Sequence, residues 1–404
     1  MISHVLALAV KIVTTALAVA GMGYFFASLL AARRFLREWR AQRPEFAPGV
    51  SILKALKGID PGMIEAFRSH CRQSYAGEFE LLFGVATLDD PAAAAVKKLQ
   101  SEFPELAIRL VECPQRLGSN GKVSTLVQLA AQVRYDYLLV NDSDITVSPQ
   151  YLRQVMACFA PAEISSGAEA RTLQGEFLPS PVGLVTALYR GRAHGSLASR
   201  FEALGIATDF QAGVLMSKWI EGGLSYGLGS TLAVRREALE KAGGLIGLVD
   251  HLADDYEMGA RVARAGYRVE LCAEVVETSV PAYGWRGFFD HQLRWLRAVR
   301  VSRPAGYVGL IFTYGLGWAL VNALACGFSR TSLWLLGASI LLRLAQAATV
   351  GGAVVGDRQA MANLWLLPAR DLVAFGLWIA GFVGNTIVWR GERFVLKGGR
   401  LVKV

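Results

Sequence analysis

The chain has 404 residues, is 53% hydrophobic and carries a formal net charge of +9, and its mean hydropathy of +0.35 is high for a soluble protein. A basic balance admits nucleic acid or an anionic membrane surface as partner, but Arg33, Arg34, Arg37 and Arg40 stand beside an apolar segment, which favours the bilayer over nucleic acid. Five cysteines scattered singly, with no Cys-x-x-Cys, argue against a disulfide framework or a zinc site and fit a reducing compartment.

Residues 5–32 are apolar apart from Lys11 and a few small polar residues. The stretch is too long for a signal-peptide core and spans ~30 Å as a helix. Residues 1–34 therefore read as a membrane anchor. The basic cluster after it predicts a cytoplasmic domain over 35–303.

From Pro48 onward, apolar runs alternate with helical patterns. Val50-Ser51-Ile52-Leu53 predicts a first strand. Pro61 to Cys71 predicts a helix with Asp60 as N-cap. Phe79 to Val85 is a second strand, Pro91 to Phe103 a helix, Ala107 to Val111 a third strand and Lys122 to Val133 a helix. Tyr137-Leu138-Leu139-Val140 is a buried strand running into Asn141-Asp142. Such alternation implies an α/β fold with a mostly parallel sheet covered on both faces. Ligands bind beyond the carboxyl ends of such strands, where Asp142 and Asp144 fall.

Residues 304–404 form a C-terminal membrane region with a basic tail. Apolar segments run over 305–328, 331–355 and 361–389, the last broken by Pro368-Ala369-Arg370-Asp371. Three full crossings would strand the basic tail (Arg390, Arg393, Lys397, Arg400, Lys403) outside. Part of 361–389 is therefore expected to lie in the interface or re-enter, with Arg370 and Asp371 at an interface or facing protein.

Three short pieces carry the chemistry. Asp142-Ser143-Asp144 can hold Mg2+ or Mn2+ through oxygen while leaving positions for phosphate oxygens; the plainer reading is a capping aspartate with a solvated neighbour. In Asp254-Asp255-Tyr256, Asp255 is the preferred general base, with Asp254 as helix cap or supporting group. In Gln292-Leu293-Arg294-Trp295, Arg294 suits a diphosphate, and His291 shares its helix face. Arg294, Arg297, Arg300 and Arg303 also form a stripe, so the latter three are expected to meet lipid headgroups. Lys122, in Asn120-Gly121-Lys122, can reach donor phosphate, although Val123 rules out a P-loop. The glycine-rich stretch Gly222 to Ser230 is either a plain loop or a close backbone approach to ligand.

These pieces, with Asp89-Asp90-Pro91 and Leu252-Ala253-Asp254-Asp255-Tyr256, give the chain its resemblance to the ceramide-glucosyltransferase-like branch of glycosyltransferase families 2 and 21. It covers roughly residues 48–303. Within that branch, Val182 to Gly191, His251 to Asp255, Arg294 to Arg297 and Trp389-Arg390-Gly391 resemble the bacterial hopanoid-biosynthesis glycosyltransferases. The resemblance implies a Rossmann-like GT-A fold in a bacterial inner membrane, a UDP-sugar donor, a divalent metal and inversion at the anomeric carbon. It assigns Asp144 and Asp142 to metal and diphosphate, Asp255 to the base, and Gln292, Arg294 and Trp295 to the closing motif. The acceptor it implies is a membrane lipid: bacteriohopanetetrol receiving GlcNAc, or alternatively ceramide receiving glucose. One position departs from the family. Thr87 stands where an aspartate near the uracil is usual, leaving Asp89 or Asp90 as substitutes. A processive polysaccharide synthase would need a wider membrane channel than these segments supply, and a non-catalytic scaffold is opposed by the intact later motifs.

Overall fold

A computed structural model of the chain describes residues 2–40, 43–161, 180–389 and 392–403, so Arg390 and Gly391 lie outside the described residues. A seven-stranded sheet organises the middle of the chain in the order β3-β2-β1-β4-β6-β5-β7. Its strands are β1 (Val50–Ala55), β2 (Phe79–Val85), β3 (Ala107–Glu112), β4 (Tyr137–Val140), β5 (Val182–Ala193), β6 (Leu232–Arg235) and β7 (Arg268–Val280). β1 pairs in parallel with β2 and β4, and β2 with β3. β6 is antiparallel to β4 and β5, and β7 is parallel to β5. The mostly parallel α/β sheet expected from the sequence is therefore present, with one reversed strand.

The runs form strands for the anticipated reason. Val50, Ile52 and Leu53 in β1, and Leu81, Leu82 and Phe83 in β2, are wholly buried, as strands covered on both faces must be. The helix Pro91–Glu102 starts on Asp90, whose carboxylate accepts from the Ala92 amide, and turns Ala92, Val96 and Leu99 inward. The helix expected from Pro61 begins at Met63, behind a left-handed Gly62. Asp60 is not its cap: that carboxylate accepts from Ser143 Oγ at 2.6 Å, so a partner beside Asp142 has taken the oxygen that a cap would use.

Two helices, His4–Trp39 and Arg330–Val354, are long and apolar enough to cross a membrane; Pro304–Phe312 and Gly315–Ala325 together make a third such unit, bent by 51°. The N-terminal helix crosses the third unit on glycines. A Cβ on Gly21 would lie 2.2 Å from Gly315 Cα, the close approach that packs helices where water gives no drive. Nearby, Asn322 Nδ2 donates to the hydroxyls of Thr14 and Thr15.

The segment expected to stop short of crossing contains the helix Leu367–Ala380. Fourteen residues rise about 21 Å, less than the ~30 Å of a hydrocarbon core. Its Arg370 and Asp371 face protein, bonding Asp209 and Arg343 respectively.

The tail folds into a small antiparallel sheet: β8 (Thr386–Trp389), β9 (Glu392–Lys397) and β10 (Arg400–Lys403). It buries Ile387, Phe394, Leu396 and Leu401 against Leu252 and Val301. Leu401 N donates to Asp250 O at 2.7 Å. The tail is thus seated on the same body as the large sheet.

The arginine stripe requires a correction. Arg297 donates to the carbonyls of Thr386 and Val383, and Arg300 to those of Gly381 and Gly384. Arg303 pairs with Glu221. The guanidiniums of Arg297 and Arg300 thus go to backbone carbonyls of residues 381–386 and that of Arg303 to a carboxylate, so all three are bonded within the protein rather than held out to lipid headgroups.

Candidate active site

Sheet direction decides what meets. β1, β2, β4, β5 and β7 all point one way, so the segments leaving them converge at one edge: Thr87, Asp142 to Asp144, the helix Leu197–Gly205, and Tyr283 with the helix Trp285–Ser302. β6 runs oppositely and delivers the glycine-rich 222–230 loop to that edge. The helix Asp254–Arg264 precedes β7, so its N-terminus arrives there too.

Asp144 Oδ2 accepts from Thr278 Oγ1 at 2.6 Å and from the Ser279 amide at 2.9 Å. Burial, and then the nearby Asp142 charge, still push its carboxyl up. Asp142 turns the other way and meets Lys122 Nζ at 2.6 Å. Beneath them lies a group the motif search missed. Lys54 is 1% exposed and donates to Asn141 Oδ1 at 2.7 Å and to Asp142 O at 3.0 Å. Burial draws its ammonium down to about 7, against the pull of Asp144 and Asp142. A lysine in a buried strand reads as an interruption, so only a pattern search for charge inside an apolar run finds it.

Lys122 also faces Asp254 at 3.6 Å. Burial would lower this ammonium, but Asp142 and Asp254 outweigh it and hold it above the usual lysine range. Neither acidic residue of the pair caps its helix: the N-cap is Ala253, with no side-chain bond. Instead Asp254 accepts from Asn120 Nδ2, and its second oxygen is buried with no hydrogen-bond donor among the described residues. Asn120 is the cap of its own helix, its side chain accepting from the Val123 amide.

Asp255 Oδ2 accepts from the Gly229 amide and Oδ1 from the Tyr256 amide, each at 2.8 Å. Burial, with Asp254 beside it, pushes the Asp255 carboxyl up to about 6. The glycine-rich loop therefore does more than connect: it aims a backbone N–H at this carboxylate. The loop is held by Gly259, where an added Cβ would lie 2.1 Å from Gly227 N. Gly259→Ala is expected to force the helix outward, destabilise by about 1–3 kcal/mol and lower turnover with it. Melting temperature and kcat measured together check this, and no change in either would show that the seat tolerates a side chain.

On the helix Trp285–Ser302, Glu202 gathers the motif. Its Oε2 accepts from His291 Nδ1 at 2.9 Å, from Gln292 Nε2 at 3.1 Å and from the Tyr283 hydroxyl. Burial alone would raise the Glu202 carboxyl, but His291 and Tyr283 hold it below its ordinary value. Trp295 lies 4.8 Å from the His291 ring and 6.3 Å from Phe210. Arg294 stands near enough to Tyr283 for its charge to act on that phenol. Glu202 belongs to no short motif and was invisible to spacing arguments.

At the β2 end, Thr87 and Asp89 are exposed. Asp90 is taken up structurally: besides its cap bond it accepts from the Gly58 amide at 2.9 Å. Of the two proposed substitutes for the missing aspartate, only Asp89 keeps its carboxylate toward solvent. Among the described residues no group of three or more His, Cys, Asp or Glu is arranged to hold a metal.

Comparison with known proteins adds to this geometry. The model of Glycosyl transferase family 21 matches residues 13–167 and 168–402. "Ceramide glucosyltransferase 3" of Caenorhabditis elegans is 24% identical across 96% of this chain and 82% of its own length. "Ceramide glucosyltransferase 1" of the same organism is 22% identical across 88% and 73%. Among solved structures, a Pyrobaculum calidifontis mannosyltransferase in complex with GDP-Man and Mn2+ superposes with a TM-score of 0.53 at 20% identity, covering 92% of this chain and 97% of that one. That likeness speaks for the fold.

Proposed function

Because the chain belongs to glycosyl transferase family 21 and is a glycosyltransferase, we propose that it moves glucose from UDP-glucose to a hydroxyl of ceramide at a membrane surface. The observation that carries the reading is Asp255, pinned by two amides, ionisable near neutrality and set beside Lys122 and Asp142. Its long relatives are named for ceramide, so this acceptor moves ahead of bacteriohopanetetrol with UDP-GlcNAc, which rests on sequence cues alone. The cytoplasmic side is taken from the basic cluster at Arg33 to Arg40.

The step is a single displacement. The acceptor hydroxyl gives its proton to Asp255 as its oxygen bonds the anomeric carbon. The bond from that carbon to the diphosphate oxygen breaks on the opposite face, and UDP leaves with the electron pair. Lys122 and Arg294 would meet the charge developing on the diphosphate. Trp295 and Gln292 close the site.

The residues present fit a divalent cation. Asp144 is a largely buried carboxylate whose charge is only partly compensated by Thr278 and the Ser279 amide, and Asp142 would add a second oxygen by turning from Lys122 toward it. Mg2+ or Mn2+ held there would supply charge neutralisation to the leaving diphosphate.

The test is transfer by the purified full chain in detergent, with UDP-glucose and UDP-GlcNAc each offered against ceramide and bacteriohopanetetrol. Products are read by mass spectrometry with and without chelator. Chelator-sensitive glucosylceramide is expected. A GlcNAc-bearing hopanoid would overturn the substrates and keep the chemistry, and no glycolipid from any pairing would overturn both.

A further inference from the structure

A polar cluster and an apolar rim occur together on two helix ends that no motif explains. Glu202 is 4% exposed, and one of its oxygens takes three donors, from Tyr283, His291 and Gln292. A carboxylate on Nδ1 fixes the imidazole's tautomer and orientation. It leaves Nε2, on the far side of the ring from the carboxylate, to bond a hydroxyl, which can accept or donate. One residue before Glu202, Phe201 packs edge-on to Trp285 at 5.2 Å. Around them Leu197, Trp285 and Phe289 are 44%, 42% and 40% exposed. A nitrogen able to bond a hydroxyl beside a partly exposed aromatic rim fits a molecule with a hydroxylated head and an apolar body.

The cluster also faces the reacting centre. After burial, the charges of Asp255, Glu202 and Asp142 all push the Tyr189 phenol up, so the cluster lies within electrostatic reach of the tyrosine that Asp255 also acts on. Tyr189 reaches Phe210 at 5.5 Å, Phe210 reaches Trp295, and Trp295 reaches His291. These ring contacts join the Glu202–His291 pair to the neighbourhood of the proposed base.

Resting on the proposed lipid acceptor, we infer that His291 binds a hydroxyl of the lipid's polar head, that Glu202 acts through it as a positioning residue, and that Trp285 and Phe289 cover the lipid's apolar chain. Bilayer contact alone would explain the rim but not a buried carboxylate spent on orienting a histidine.

The experiment titrates NBD-ceramide into the full chain in detergent without donor, with UDP-glucose binding measured separately. His291→Ala and Glu202→Gln are expected to weaken NBD-ceramide by roughly tenfold, the worth of one hydrogen bond to an oriented group, and by more than they weaken UDP-glucose. Glu202→Gln should add nothing further in the His291→Ala background, because it acts through that ring. If Glu202→Gln does not fold, Trp285→Ala on the surface carries the test. Equal loss of both ligands, or unchanged lipid binding, overturns the inference. So does a Trp285→Ala effect that is as large for NBD-phosphatidylcholine, which would mark a general bilayer contact. A wild-type chain that does not bind NBD-ceramide overturns it as well. Binding without glucosyl transfer would instead overturn the proposed reaction and leave this site standing.

Discussion

Asp255→Asn is expected to lower kcat by about 10²–10⁴, the usual worth of a positioned general base, with UDP-glucose binding largely kept. The amide cannot accept the acceptor's proton, yet its carbonyl can still take the Gly229 amide bond. In the wild type the carboxyl is pushed up to about 6 by burial and by Asp254, so turnover should climb as pH rises through that value and flatten above it. The stability sign runs opposite to the common carboxylate case. A folded pKa above the ordinary value means that the folded chain binds the proton more tightly. The favourable contribution is therefore present at acid pH and fades as pH rises from about 4 toward 6. At neutral pH the variant's melting temperature should hold or increase while activity collapses. Retained turnover would remove Asp255 from the role, and a collapse of both would show that its hydrogen bonds matter more than its charge.

Arg343→Met is expected to be the most destabilising single change. Arg343 is 3% exposed and forks onto both oxygens of Asp371 at 2.7 and 2.9 Å. Removing it leaves a buried carboxylate with only Arg370 Nη1, 3.5 Å away, for compensation. Breaking one partner of such a pair costs about 3–5 kcal/mol, whereas replacing both by apolar residues is often near neutral. The Arg343→Met/Asp371→Leu double variant should therefore recover most of the loss in detergent melting. A double variant no more stable than the single one would show that the arginine's other bonds dominate. Those bonds go to Thr208 and Gln346: Arg343 Nη1 donates to the Thr208 carbonyl and to Gln346 Oε1, and Gln346 Nε2 donates in turn to the same carbonyl, in the π-helical turn Ile206–Phe210. Phe210 is the residue between Tyr189 and Trp295, so the single variant should lose activity before it loses its fold.

The strands were legible because each of β1, β2 and β4 is a short apolar run ending at a polar turn. The same property exposed Asp142 and Asp144 at a strand end. Asp255 stood out as half of an acidic pair, and of the two readings of its partner the cap falls away: Asp254 answers Asn120 and Lys122. Three further features depend on pairings far apart in sequence, which no local pattern carries. Asp60 goes to Ser143, Arg297 to Thr386, and Glu202 to His291. Lys54 was missed for a different reason. Composition rules treat charge as solvated, and they have no way to see a charge that two buried oxygens accept.

The guanidiniums of Arg297 and Arg300, turned onto the carbonyls of residues 381–386, also bear on how this chain can be recombined. The helix bearing Trp295 and the turn after Ala380 are fitted to each other mostly through that turn's backbone oxygens, with Asn385 Oδ1 as a side-chain acceptor for Arg300, so apart from Asn385 side-chain identity in that turn matters less than its path. A chimera that grafts residues 381 onward from a distant relative keeps its active-site helix in place only if the graft's turn traces the same curve. Swaps of that region should therefore tolerate altered sequence and fail on altered length.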